Sequence, residues 1–383
     1  MDGRRERIDY LDGLRGVAIL SVVAWHYTNW GYERFFPYGT MFSAIPGLDH
    51  GWIGVNIFFL ISGYVILMTL ERCASYREFM ARRWLRLFPA MLIASLTIFA
   101  ISQALGTYMP HGRANGVNLL PGLTFLIPTL WQSILRVPID ELDGVFWTLY
   151  VEMGFYVTFG LLYFRLGWRR GLLALAGIWL SVLAAAAIAT RLDSPPLSQA
   201  VEVVQWFGTA YFGWFVSGAL FLKAAEERSR WLFAGAMLAG LTSAFTSGLW
   251  QPGDLVSCLY LAGCVLFFAA AQISAALQRM LATRFLLFAG AISYPLYLLH
   301  NEIGIGLIAA SGALLPAWLW PALPGLMLGI MVAAAWAMTR WPERWLTLAL
   351  KRPVLAFAQG GKEDRRSHPP ALQSRVGPDE DDG

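Results

Sequence analysis

Arg15 and His26 stand eleven positions apart in a run from Leu11 to His26 in which every residue between the two is small or apolar. At about 100° per residue, eleven steps return to nearly the same helix face, roughly 16 Å further along the axis. A membrane helix built on this run carries a cation near its start and an imidazole deep inside. Ionisable groups inside a bilayer usually face a protein interior or a water-filled cavity, so they mark a functional path. The bland readings are a neutral His26 satisfied by a nearby hydroxyl or carbonyl, and an Arg15 that snorkels toward the headgroups. Asp12 lies one turn before Arg15 and can pair with it.

Four other groups of residues carry chemistry. Glu152 sits about two turns into the run that starts at Phe146, where a carboxylate needs a partner. It enters from the same leaflet as His26, so the two are expected to form a base or nucleophile and its orienting partner. Arg82, Arg83 and Arg86 fall in a loop spanning 76–86 that is expected on the cytoplasmic side. At least two of their guanidiniums share a helical face, which suits phosphate, although positive-inside anchoring explains them equally. Asn56 and Ser62 are the strongly polar side chains of the run 51–70, suited to hydrogen bonds between helices. The stretch from Ser293 to Glu302 holds Tyr294 and His300, and Pro295 there is expected to kink its helix and open a cavity. Trp131 and Trp147 offer stacking faces for a sugar, and Tyr150 is a supporting residue beside Glu152.

The elements that position these residues are membrane helices. Of 383 residues, 57% are hydrophobic and 14% charged, with a mean hydropathy of +0.52. A soluble domain carries about 25% charged residues. Long unbroken apolar runs, rather than alternating ones, give an all-α polytopic membrane helical bundle instead of a barrel. Ten transmembrane spans are read, near 14–30, 51–70, 87–105, 145–165, 171–190, 203–222, 231–250, 255–277, 285–310 and 318–339. Segment 119–135 is apolar but interrupted by Pro121, Gly122 and Pro128, and is read as a re-entrant or interfacial element. With that assignment all but Arg34, Arg113, Arg136 and Arg191 of the 29 Lys and Arg residues fall on one side, which makes both termini cytoplasmic. Residues 1–352 are read as one transmembrane domain and 353–383 as a disordered cytoplasmic tail. The basic N-terminus and first apolar run are expected to be kept as a transmembrane helix rather than cleaved. The cysteines Cys73, Cys258 and Cys264 show no metal-ligand spacing, so no metal is expected, and the charge pattern gives no argument for nucleic acid.

Five blocks taken together resemble the acyltransferase-3 family. They are Leu-Asp-Gly-Leu-Arg-Gly with His26 eleven after Arg15, Gly-Val-Asn-Ile-Phe-Phe-Leu-Ile-Ser-Gly-Tyr (54–64), Arg-Arg-Trp-Leu-Arg-Leu-Phe-Pro (82–89), Trp-Thr-Leu-Tyr-Val-Glu (147–152) and Ser-Tyr-Pro-Leu-Tyr-Leu-Leu-His (293–300). The family's signature maps onto Arg15 and His26, and its basic block onto Arg82, Arg83 and Arg86. Asn56 stands where an acidic residue is frequent in the family. The resemblance implies a membrane O-acyltransferase of the bacterial inner membrane. It would move an acyl group such as acetyl from cytoplasmic acyl-CoA to a hydroxyl of an extracytoplasmic exopolysaccharide, O-antigen or lipid-linked oligosaccharide. The arginines would then hold the donor's phosphates and His26 would act as base or transient acyl carrier. The alternative is a polytopic transporter or flippase that uses His26, Glu152 and His300 as a proton relay.

Overall fold

The computed structural model describes residues 8–28, 31–249 and 255–359, and among them every regular element is helical. The first helix, α1 (Asp9–Thr28), is followed by α2 (Gly54–Glu71) and α3 (Tyr76–Leu105). Ser75 caps α3, accepting from the Glu78 backbone N–H, while the Glu78 carboxylate accepts from the Ala74 N–H. This reciprocal cap starts the helix eleven residues before the span expected at 87. The arginines expected in a loop therefore stand on the first three turns of α3. Among the described residues, five helical stretches are long and apolar enough to cross a membrane: 48–71, 76–105, 144–191, 255–273 and 317–358.

Segment 119–135 forms two short helices, α4 (Leu119–Thr124) and α5 (Pro128–Leu135), with Phe125 at φ 57° turning the chain between them. At 1.5 Å per residue neither is long enough to cross. The stretch α6 (Trp147–Arg191) bends at Gly167, whose φ of 75° only glycine adopts readily. That bend separates the two spans expected at 145–165 and 171–190.

Two of the expected spans are not continuous. The one read at 203–222 is divided between α7 (Pro195–Gln205) and α8 (Phe212–Glu226), with Gly208 at φ 74° between them. Beyond α9 (Arg230–Leu249), α10 (Leu255–Ile273) and α11 (Ala275–Leu281), the span read at 285–310 is three short helices. These are α12 (Arg284–Ala291), α13 (Ser293–Leu299) and α14 (Glu302–Leu314). The chain breaks at Ile292, just after Ala291, whose carbonyl loses its partner and meets the ring of Pro295 four residues on, and it breaks again at Asn301. The last two helices are α15 (Leu323–Arg340) and α16 (Pro342–Gln359). Helix α16 carries regular structure seven residues past the boundary expected at 353, and residues from 360 onward lie outside the described residues.

Glycines let three of these helices meet backbone to backbone. A Cβ on Gly13 or Gly16 of α1 would fall 2.0 Å from the Leu281 carbonyl oxygen or 2.3 Å from that of Leu286, and one on Gly290 of α12 2.0 Å from that of Asp12. The two glycines of the Asp-Gly-Leu-Arg-Gly block thus seat α1 on the end of α11 and on α12, while Asp12 and Arg15 of the same block carry the charge. Helices α2 and α8 cross in the same way: a Cβ on Gly63 would meet the Phe215 oxygen at 2.1 Å, and one on Gly218 the Leu60 oxygen at 2.0 Å.

Candidate active site

A cleft of about 110 Å³ opens between α1, α2, α3, α6 and α13. One end is cationic. Arg15 from α1 and Arg83 and Arg86 from α3 line it, three residues apart on one face of α3 in the latter two cases. Arg15 is paired to Asp12 at 2.8 Å. The Arg86 guanidinium lies 5.4 Å over the Tyr294 ring, and its Glu343 partner on α16 is 3.9 Å away. Arg83 lies 5.7 Å over the Tyr156 ring, and its buried Nε has no hydrogen-bond partner among the described residues. Leaving a charged donor buried and unmet is costly, so this atom is suited to an anion that enters the cleft. Arg82 differs from its neighbours: it turns outward, 45% exposed, and binds Glu78. The expected trio of arginines is therefore a pair on α3 joined by Arg15.

Glu152 lines the middle of the cleft. Its Oε1 accepts from Ser62 Oγ at 2.7 Å and from the Tyr156 hydroxyl. The expected pairing with His26 does not form, because α6 turns the carboxylate toward α2 and the arginines. Thr148, Glu152 and Tyr156 follow one another at four-residue spacing and share the cleft face of α6. Tyr156 was missed from the sequence although that spacing signals it. Asn56, Trp147 and Tyr150 do not line the cleft. Asn56 is buried on α2, the Trp147 ring packs 5.2 Å from that of Tyr211, and the Tyr150 hydroxyl is buried with no hydrogen-bond partner among the described residues. Trp147 is thus part of the packing rather than an open sugar platform. Tyr294 does line the cleft, and its hydroxyl donates to the Leu87 carbonyl.

At the other end of the cleft Thr148 and Tyr297 share a hydrogen bond of 3.0 Å and both donate to the Val145 carbonyl. The ring of His300 lies behind Tyr297, with centroids 5.6 Å apart. His300 Nε2 is 3.2 Å from His26 Nδ1, in an edge-on arrangement. Both imidazoles are buried. The two signature residues of α1 are therefore set apart: Arg15 lines the cleft, whereas His26 does not and packs against His300, whose ring lies behind Tyr297.

Next to the histidines is a charged cluster that local sequence patterns do not signal. Asp143 caps the turn at Val145, accepts from Asn301 Nδ2 at 2.7 Å, and accepts from the Glu302 backbone N–H at 3.1 Å. Glu302 in turn accepts from the His111 backbone N–H at 3.0 Å and lies 2.7 Å from its Nδ1. The hydrogen bond to Glu302 raises His111 to about 9. Burial, with Glu302 close by, raises Asp143 to about 7, and burial also raises Glu141 to about 7. The cluster ties the loop after α3 to the break between α13 and α14. Among the described residues no group of His, Cys, Asp and Glu is arranged to hold a metal.

Membrane-length apolar helices around a cleft with buried charges define a multi-pass membrane protein whose site lies inside the bundle. The chain belongs to the acyltransferase-3 family, described as an acyltransferase domain, which matches residues 8–340, and it is an acyltransferase. It is similar to the acyltransferase MdmB of Streptomyces mycarofaciens, with 27% identity over 320 residues, 78% of this chain and 80% of that protein. It is also similar to Nodulation protein 10 of Rhizobium leguminosarum bv. viciae, with 28% identity over 391 residues, 93% and 98% of the two chains. A shorter stretch resembles the peptidoglycan O-acetyltransferase OatA of Listeria monocytogenes, 25% identical over 202 residues, 47% of this chain and 29% of that one. No solved structure matches the chain.

Proposed function

We propose that the protein transfers an acyl group, acetyl in the first instance, from acyl-CoA bound at the arginine end of the cleft to a hydroxyl of a carbohydrate at the histidine end. The observation that carries this reading is the buried, unpartnered Nε of Arg83, set in a cleft with Arg15 and Arg86. Guanidinium groups match phosphate oxygens. The pantetheine arm of CoA, on the order of 15–20 Å, is comparable to the roughly 16 Å rise between Arg15 and His26 on one helix. In this reading the bundle has ten spans with both termini cytoplasmic, and it lies in a bacterial inner membrane with the arginines on the cytoplasmic side. One relative is a peptidoglycan O-acetyltransferase, which supports trying carbohydrate polymers first as acceptors.

His26 acts as general base. It takes the proton of the acceptor hydroxyl, the oxygen attacks the thioester carbonyl, the C–S bond breaks, and the proton passes to the departing thiolate of CoA. Glu152, held by Ser62 and Tyr156, sets the charge among the arginines rather than orienting the base. A proton relay through Glu152 has no support in these contacts, since its hydrogen bonds run to those two hydroxyls. The test is carbohydrate NMR of a deletion strain complemented with wild type or His26→Ala. An O-acyl signal is expected to return with wild type alone. Return with both at equal intensity overturns His26 as base.

A further inference from the structure

We infer that His300 is the positioning residue of His26, and that it fixes the basic atom of His26 as Nε2. This deepens the reading of His26 as general base and rests on it. The argument begins with which atoms can only accept. His300 Nδ1 lies 2.8 Å from the Tyr297 carbonyl oxygen and 3.2 Å from that of Leu296. A carbonyl oxygen has no proton to give, so Nδ1 carries the hydrogen and the neutral ring keeps its lone pair on Nε2. That lone pair faces His26 Nδ1 at 3.2 Å. His26 Nδ1 also lies 2.9 Å from the Val22 carbonyl oxygen, again an acceptor only. The Nδ1 hydrogen of His26 is therefore shared between Val22 and His300, and the lone pair of neutral His26 is on Nε2.

The choice of partner has a chemical consequence. An uncharged imidazole accepts the Nδ1 hydrogen of His26 without placing a charge beside it, and Nε2 carries the lone pair that takes the proton. When His26 takes that proton, its Nδ1–H still points at an acceptor, so the charged form is met without rearrangement. A second proton on His300 Nε2 would set two donors against each other, so the pair takes up one proton at a time. The backbone of His300 is itself held from α1, because the Tyr27 hydroxyl donates to its carbonyl at 2.9 Å and the Tyr38 hydroxyl donates to the Tyr27 carbonyl at 2.6 Å.

Two measurements test this. The first needs no activity: 15N NMR of ring-labelled histidine in the reconstituted protein, which has five histidines, with the His26 and His300 signals assigned by their loss in His26→Gln and His300→Gln. Both residues are expected to show a protonated Nδ1 and an unprotonated Nε2 near pH 7.5; a protonated Nε2 on His26 overturns the assignment. The second compares His300→Leu with His300→Gln. Leucine removes the acceptor and is expected to lower kcat roughly 10- to 100-fold, less than loss of the base itself because the Val22 carbonyl remains, with the donor KM unchanged. Glutamine offers a carbonyl oxygen that accepts but does not titrate, and it is expected to recover most of kcat with the wild-type pH profile. Glutamine no better than leucine overturns the positioning role. If the wild-type protein transfers no acyl group, the function reading fails while the 15N result still stands or falls by itself.

Discussion

Arg82 and Arg83 are adjacent on α3 yet face opposite surroundings, so the cleft carries its own control. Arg83 lines the cleft and keeps a buried Nε with no hydrogen-bond partner among the described residues, whereas Arg82 is 45% exposed and already bonded to Glu78. Each is replaced by glutamine, which keeps helix propensity and length but removes the charge. A hydrogen bond to a charged group is worth about 1.5–3 kcal/mol. At 1.4 kcal/mol per factor of ten, Arg83→Gln should raise the apparent acetyl-CoA requirement about 12- to 150-fold. An exposed ion pair is worth at most about 1 kcal/mol, so Arg82→Gln should move it less than about fivefold. The assay is the initial rate of labelled acetyl transfer in proteoliposomes against acetyl-CoA concentration. Because the phosphates are far from the bond that breaks, kcat should hold within about threefold for both variants. Equal effects of the two substitutions, or a fall in kcat at unchanged KM for Arg83→Gln, would refute donor binding at this end of the cleft.

Two further outcomes test the frame around the site. His111, raised to about 9 from 6.5 by its bond to Glu302, contributes stability that is whole below pH 6.5, fades between 6.5 and 9, and is absent above. Its side chain is 36% exposed, so solvent screening brings the contribution down to about 1–2 kcal/mol; the melting temperatures of wild type and His111→Ala should differ at pH 6 and converge by pH 9.5, and a gap that widens with pH would contradict this. Gly63→Ala and Gly218→Ala should each destabilise by about 3 kcal/mol, the upper end for overpacking, because the clash is with backbone. The double variant should cost less than the sum, since one separation of α2 and α8 relieves both, and strict additivity in detergent melts would count against a shared contact.

How far the sequence could be read depended on whether a feature is local. Apolar runs gave an all-helical membrane bundle, and the Ser75-Glu78 cap and the 148–152–156 spacing were both present to be read. The direction in which Arg82 points was not, because a three-residue cluster on a helix has no local mark of which member meets a neighbour. Glu152 was expected beside His26 on the argument of equal depth alone. Depth leaves the angle around α6 open, and that angle sends the carboxylate to Ser62 instead. Pro295 marked the region of the break at Ile292, but the break at Asn301 has no such local signal within a run long enough to read as one span. His111 lies in a loop with no periodicity and meets Glu302 across 191 positions, a distance no motif encodes.

In mechanical terms, the glycine seam between α1 and α12 makes a strut. Side chains between two helices act as a compliant layer that can re-pack, but at Gly13, Gly16 and Gly290 that layer is missing and main chain bears on main chain. Arg15 and His26 on one rail, and Tyr294 and His300 on the segment that continues the other, are therefore held at fixed separation while the rest of the bundle flexes. Any opening of the cleft is left to parts outside the strut, such as α16 with its long Glu343–Arg86 contact or the loop tied by His111. The helix that bears the signature is thus the stationary part of the machine, and the traffic moves around it.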